Sequence, residues 1–143
     1  GTKHINVHHK AKTPLGRMLS PPYRAAFRVR DHGTFQSVGG YWAWLLFDRE
    51  DGFRDLSGED VLVRQEFVSE QQTVASEAFQ RKILKATWAK IRQNSTIFWR
   101  FQQNILPYRR YVVVEDTIYQ PSSADWLLDG LSVMEEYTEK HIW

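Results

Sequence analysis

The sequence contains no cysteine, and this excludes three kinds of site. Without thiols the chain has no disulfide framework, no zinc–thiolate centre and no cysteine nucleophile. The absence is typical of a cytoplasmic protein, which is the predicted location. The chain also lacks an apolar run of about 18 residues and a signal-peptide pattern, so no association with a membrane is predicted.

The sequence has little excess charge. Its 19 basic and 17 acidic residues leave a net charge of +2, too small to indicate nucleic-acid binding by itself. Aromatic residues, in contrast, are abundant, with six Trp and eight Phe. Such rings fill cores, but they also line pockets and stack on bases, and composition leaves both roles open.

The pattern of apolar residues predicts one α+β domain over residues 1–143, with several helices and a small antiparallel sheet. Gly1 and Thr2 are interpreted as residues added for expression. The stretch Leu19–Leu46 combines a Pro-Pro break, a short strand, a glycine turn and an aromatic helix. The further predicted elements are a turn at Thr13–Gly16, a helix within 76–93, a second helix that Pro107 stops, a hairpin within 111–119 and a last helix through Leu127, Leu131 and Met134.

Standard catalytic motifs do not occur in this sequence. It has no G-x-S-x-G, no P-loop, no G-x-G-x-x-G and no H-E-x-x-H. The neighbours His8 and His9 would point to opposite faces of a strand, so they do not converge on a metal. We therefore predict no metal site and no cofactor.

A group of basic residues accompanies the helix within 76–93 and lies mostly off its apolar stripe. Its members are Arg81, Lys82, Lys85, Lys90 and Arg92. They form either a solvated face or an electrostatic lip that attracts phosphates or nucleic acid, and the sequence leaves both open.

The order of several short motifs resembles the NADAR (YbiA-like) superfamily, in a divergent form such as bacteriophages carry. The family has a Leu-Ser-Asn-Phe step, a strand and turn, Ser-Val-Glu-His-Tyr before an aromatic helix, and Lys-Phe-x-Gln-Asn at the end of a later helix. The corresponding segments here are Leu19–Tyr23, Phe27–Phe35, Ser37–Trp42 and Ala89–Asn94. Val114-Glu115, Asp125 and Trp126 loosely match the family's Val-Glu, Asp and Trp near the end.

The resemblance implies a YbiA-like fold and an N-glycosidase that acts on ADP-ribosylated bases or related nucleotides. A carboxylate would stabilise the oxocarbenium-like transition state or activate a water. Aromatic rings would stack on the base, and cations would hold phosphates. The implied ligand is nucleotide-like or ADP-ribose-like, including ADP-ribosylated nucleic acid. The implied ligand-binding residues are Ser20, Tyr23, Tyr41, Trp42, Lys90 and Trp126.

The chain departs from the family at the catalytic centre. Gly39 occupies the position of the family's glutamate, Pro21 and Pro22 replace Asn and Phe, and Leu46 replaces a lysine. Glycine can neither accept a proton nor stabilise a cation. The chain is therefore a binding protein without turnover, an enzyme that uses another carboxylate such as Asp125 or Glu66, or an enzyme inactivated at Gly39. The alternative is a phage-type interaction module that docks on a host protein through exposed aromatic residues.

Overall fold

The computed structural model describes residues 4–8, 10–61, 76–104, 106–109, 112–114, 117–119 and 125–141. The fold is α+β and largely helical. The α-helices are α1 (Pro14–Leu19), α2 (Val38–Leu46), α3 (Glu77–Gln93), α4 (Ser95–Gln103) and α5 (Asp125–His141), and a 3₁₀ turn spans Asp51–Asp55. The strands are β1 (Ile5–Asn6), β2 (Phe27–Val29), β3 (Gly33–Phe35), β4 (Tyr108–Arg109), β5 (Val112–Val114) and β6 (Thr117–Tyr119). Glu66 and His9, considered above, lie outside the described residues.

Side-chain caps fix where three helices begin. The hydroxyl oxygen of Ser37 accepts the N–H of Gly40 at 2.9 Å at the start of α2, and Ser76 caps α3 in the same way. The predicted turn at Thr13–Gly16 is wrong, because it is the start of α1. Thr13 is the N-cap and Pro14 occupies the first turn, where a missing N–H costs no hydrogen bond.

The strands form separate two-stranded pairs, and the predicted small antiparallel sheet is present as pairs of this kind. Among the described residues, β2 pairs with β3 and β5 with β6, both antiparallel, whereas β1 pairs with β4 in parallel. The predicted short strand at Phe27, the aromatic helix and the late hairpin are confirmed. Parallel pairing of Ile5 with Tyr108 joins segments that are far apart in the sequence, which local patterns do not reveal.

Helix α3 is the central element because it contributes to both apolar clusters. Ile83 and Ala86 pack with the rings of β2, β3 and α2, whereas Ile91 packs with α1, α4 and β1. The predicted apolar stripe of α3 is therefore confirmed. The carboxylate of Glu135 holds α5 in place by accepting hydrogen bonds from the Tyr108 hydroxyl and from Asn104 Nδ2. No helix among the described residues is long and apolar enough to span a bilayer.

Candidate ligand-binding site

Lys90 is the most unusual residue of the core, because its side chain is completely buried. Its ammonium donates a hydrogen bond to the carbonyl oxygen of Ser20 at 3.0 Å, and it lies 5.8 Å from the centre of the Tyr23 ring. The Ser20 hydroxyl instead closes α1 by donating to the carbonyl of Arg17 at 2.6 Å. The structure thus brings together three of the predicted ligand-binding residues.

Burial lowers the pKa of Lys90 from 10.5 to about 7, since the protein interior disfavours a charge that water would solvate. Near neutral pH the amine is therefore present in both protonation states. Lys90 therefore lies apart from the basic group in which the sequence analysis placed it, whether that group is a solvated face or an electrostatic lip. The segment that contains Ser20 and Tyr23 covers this position, while Arg81, Lys82, Lys85 and Arg92 are exposed.

A polar cleft of about 400 Å³ lies beside this lysine and shares Tyr23 with it. One wall comes from the segment after α1 and the other from the junction of α3 and α4. The lining residues are Met18, Tyr23, Arg24, Ala25, Gln93, Asn94, Ser95, Thr96 and Ile97. We call this space the Tyr23 cleft. Its described lining contains one cation, one phenol ring and no carboxylate.

The junction at Gln93-Asn94 is held by the two side-chain amides. Gln93 accepts from the N–H of Arg28 at 2.7 Å and donates to its carbonyl at 2.9 Å, so it extends β2 like a short strand. Asn94 donates to the carbonyls of Ala26 at 3.0 Å and Lys90 at 2.8 Å. These bonds explain why the motif residues Gln and Asn occur here, a structural role that sequence reasoning missed.

The structure predicts a measurable effect for the Gln93 side chain. Gln93→Ala should lower the free energy of unfolding by about 1–2 kcal/mol, because two backbone groups of Arg28 lose their partner. Gln103→Ala, at the exposed end of α4, is the matched control and should change it by less than about 0.5 kcal/mol. Urea unfolding of both variants tests this, and equal effects would reject the structural role.

Because the Asn94 side chain is engaged elsewhere, it does not cap α4. The residues of its first turn, Ser95, Thr96 and Ile97, line the cleft, and no side chain caps their N–H groups. A helix start of this kind attracts anions through its unpaired N–H groups and its dipole. Arg24, which is exposed and reaches the Ser57 hydroxyl at 3.4 Å, adds positive charge at the same opening. Its position directly after Tyr23 was the one sequence signal for it.

Gly39 lies away from open space, in the second position of α2. Its N–H donates to the carbonyl of Pro21 at 2.9 Å, and the residue is buried. A Cβ added there would overlap a methyl group of Val61 and lie 3.4 Å from the Pro21 oxygen. The position where the resemblance implies a catalytic carboxylate is thus filled by the core.

Tyr41 belongs to a different cluster from Tyr23. Its hydroxyl lies 2.8 Å from Nδ1 of His32, and its ring packs on Phe35 and Trp44. Burial raises the pKa of Tyr41, whereas burial and then the charges of Arg49 and Lys82 lower the pKa of His32. Both shifts favour a neutral pair that shares one hydrogen bond between the hydroxyl and Nδ1. Tyr41 is therefore held by the core and is not brought to the cleft.

Trp42 and Trp126 belong to the same apolar cluster as Tyr41 and pack against each other between α2 and α5. Their ring centres are 5.6 Å apart, and Phe79 contacts Trp42 from the other side. The indole N–H of Trp42 is buried without a hydrogen-bond partner among the described residues. Asp125, the neighbour of Trp126, is exposed at the start of α5. The structure thus divides the predicted site residues among separate clusters.

No protein-family model, no characterised protein and no solved structure matches this chain. The resemblance to the NADAR superfamily therefore rests on the residues of its motifs alone. Among the described residues, no three His, Asp or Glu side chains cluster as metal ligands. The fold and the site define a small, largely helical α+β protein with a polar cleft beside a buried lysine.

Proposed function

We propose that this protein binds a nucleotide or ADP-ribose-like ligand in the Tyr23 cleft without hydrolysing it. One observation carries the proposal. The cleft combines a phenol ring, the Arg24 guanidinium and the uncapped start of α4, in about 400 Å³ of space. A phosphate can accept hydrogen bonds from Arg24 and from backbone N–H groups, while a ribose or base packs on Tyr23.

The same geometry argues against hydrolysis of a glycosidic bond. Stabilising an oxocarbenium ion or activating a water requires a carboxylate close to the bond that breaks. The described lining of the cleft contributes none, and Gly39 faces Val61 and not the cleft. Asp125 is exposed beside Trp126, in the group formed with Trp42, which supplies no residue of the described cleft lining.

The proposal predicts that ADP-ribose and ADP bind, and that adenosine binds much more weakly because it lacks phosphate. Arg24→Ala should weaken ADP-ribose binding about tenfold or more, the effect of losing a charge-assisted hydrogen bond. Arg28→Ala is the matched control, since Arg28 is exposed, carries the same charge and contributes no side chain to the cleft. Isothermal titration calorimetry measures the binding of the three ligands to the wild type and of ADP-ribose to both variants. Failure of the wild type to bind either phosphate compound rejects the proposal.

The absence of hydrolysis is tested separately with ADP-ribosylated nucleic acid. No ADP-ribose should be released by the wild-type chain. Release would contradict the non-catalytic part of the proposal, and loss of that release in Asp125→Asn would assign the chemistry to Asp125.

A second candidate function is interaction with another protein. Two large apolar side chains favour it, because Trp99 is 60% and Val133 is 66% exposed. Exposed rings and branched aliphatic side chains are frequent anchors of protein–protein interfaces when they cluster.

A further inference from the structure

An apolar groove of about 340 Å³ runs between α3 and α5, and it shares no residue with the Tyr23 cleft. Its lining residues are Arg81, Leu84, Lys85, Trp88, Val133 and Met134. At one end the helices are in close contact, since a Cβ on Gly130 would overlap Leu84. Further along, Trp88 of α3 and Met134 of α5 line the groove.

The relative direction of the two helices follows from these contacts. Leu84 lies against Gly130, and Trp88, one turn further along α3, shares the groove with Met134, one turn further along α5. The helices therefore run in the same direction. The apolar floor is open to solvent, as the 66% exposure of Val133 shows. Val133 lines this groove together with Leu84, Trp88 and Met134, and a contiguous apolar surface of this kind is typical of an interaction site.

The two edges of the groove carry opposite charges. On α3, Arg81 and Lys85 line the groove, and both are exposed. On α5, Asp129, Val133 and Glu136 are exposed and spaced four and three residues apart, so they share one face. One edge is therefore basic and the other acidic, with apolar side chains between them.

This pattern is complementary to itself when it is turned about a two-fold axis parallel to the groove. Rotation about such an axis does not change the position of a residue along the groove, but it exchanges the two sides. Helix α3 of one copy therefore lies over α5 of the other. Lys85 and Arg81 then lie opposite Asp129, whose level along the groove is close to theirs, and each Val133 covers apolar floor of the partner. An axis across the groove would place basic edge over basic edge.

We propose that this groove is the interface of a two-fold symmetric dimer of this chain. Both halves of the interface are present in one molecule, which is the requirement for isologous association. Opposite charges at the edges fix the orientation, and burial of the apolar floor supplies the attraction.

Charge reversal on each edge tests the interface. The wild-type chain should show a concentration-dependent monomer–dimer equilibrium in sedimentation velocity. Lys85→Glu places acid opposite acid twice in its homodimer, and Asp129→Lys places base opposite base twice. Each variant should associate about tenfold more weakly or worse than the wild type. A mixture of the two variants should recover dimerisation, because residues 85 and 129 carry opposite charges at both of their contacts in the mixed dimer.

Lys82→Glu is the matched control, since Lys82 is an exposed neighbour on α3 that does not line the groove. It makes the same charge change and should leave dimerisation within about twofold of the wild type, while circular dichroism confirms that all variants fold. A wild-type chain that stays monomeric at every concentration overturns the proposal, and so does a mixture of variants that fails to associate. Binding of a synthetic acidic amphipathic helix to a monomeric wild type would instead assign the groove to another protein.

Discussion

Replacing Lys90 by methionine is expected to remove a strong pH dependence from the stability of this protein. The folded state holds the pKa of Lys90 at about 7, whereas an unfolded lysine has the ordinary value of 10.5. Between these values the unfolded chain binds a proton that the folded chain does not. The free energy of unfolding therefore rises with pH in this window, by about 1.4 kcal/mol per pH unit.

The direction of the effect follows from the lowered pKa. The stability linked to the neutral amine is fully present above the unfolded pKa and is lost as the pH falls through the folded pKa of about 7. Lys90→Met has no such proton, so its advantage over the wild type should be greatest in acid and should shrink as the pH rises. The free energy of unfolding that Lys90→Met gains over the wild type is smaller than the cost of burying a charge, because the Ser20 carbonyl loses its hydrogen bond in the variant.

Urea unfolding of the wild type and Lys90→Met across the pH window measures this difference directly. Lys82→Met is the matched control, since it removes the same group from an exposed position of the same helix that does not line the groove. The control should alter stability by less than about 0.5 kcal/mol at every pH. Parallel pH profiles of the wild type and Lys90→Met would show that the amine titrates normally in the folded protein.

Gly39→Glu, the change that restores the carboxylate implied by the family resemblance, is expected to destabilise the protein and not to create an enzyme. A side chain at this position meets Val61 and the Pro21 carbonyl inside the core. The variant must bury a carboxylate without a partner or displace its neighbours, at a cost of several kcal/mol. Urea unfolding and an ADP-ribose release assay check the two parts. A stable Gly39→Glu variant that releases ADP-ribose would contradict this account of the position.

The lack of free space for a side chain at Gly39 can also be tested with a substitution that introduces no charge. Gly39→Ala should destabilise by about 1–3 kcal/mol, because its Cβ overlaps Val61, even though alanine is the better helix former. Val61→Ala removes the overlapping methyl groups and by itself leaves a small cavity. The double variant should be more stable than the sum of the single effects predicts, by about 1 kcal/mol or more. Strict additivity would show that the two positions do not contact each other.

The side chains in and beside the Tyr23 cleft could be predicted from the sequence only in part. Ser20, Tyr23 and Lys90 were predicted together from a motif order, and the fold places them together. Lys90 was nevertheless grouped with the other basic residues of α3, because a helical pattern does not reveal which segment covers the far side of the helix. Arg24 was missed, since a single arginine in a loop has no periodic signal.

Local patterns were sufficient for the elements whose causes are local. The spacing of Phe79, Ile83 and Ile91 determined the inward face of α3, and the β-branched runs determined the hairpin of β5 and β6. The local sequence did not always distinguish between two structures, however. Thr13-Pro14 can begin a turn or a helix, and the contacts of Leu15 and Leu19 with the core decide for the helix.

The sequence by itself determined the α+β class, the positions of most helices and the chemistry available to any site, including the absence of thiols. Tertiary structure alone decided which of those groups meet. The pairing of β1 with β4, the burial of Lys90 beneath Ser20 and the filling of space at Gly39 by Val61 each depend on contacts between distant segments. The physical reason is that periodicity reports which face of an element is apolar, whereas burial, pKa and free space depend on what packs against it.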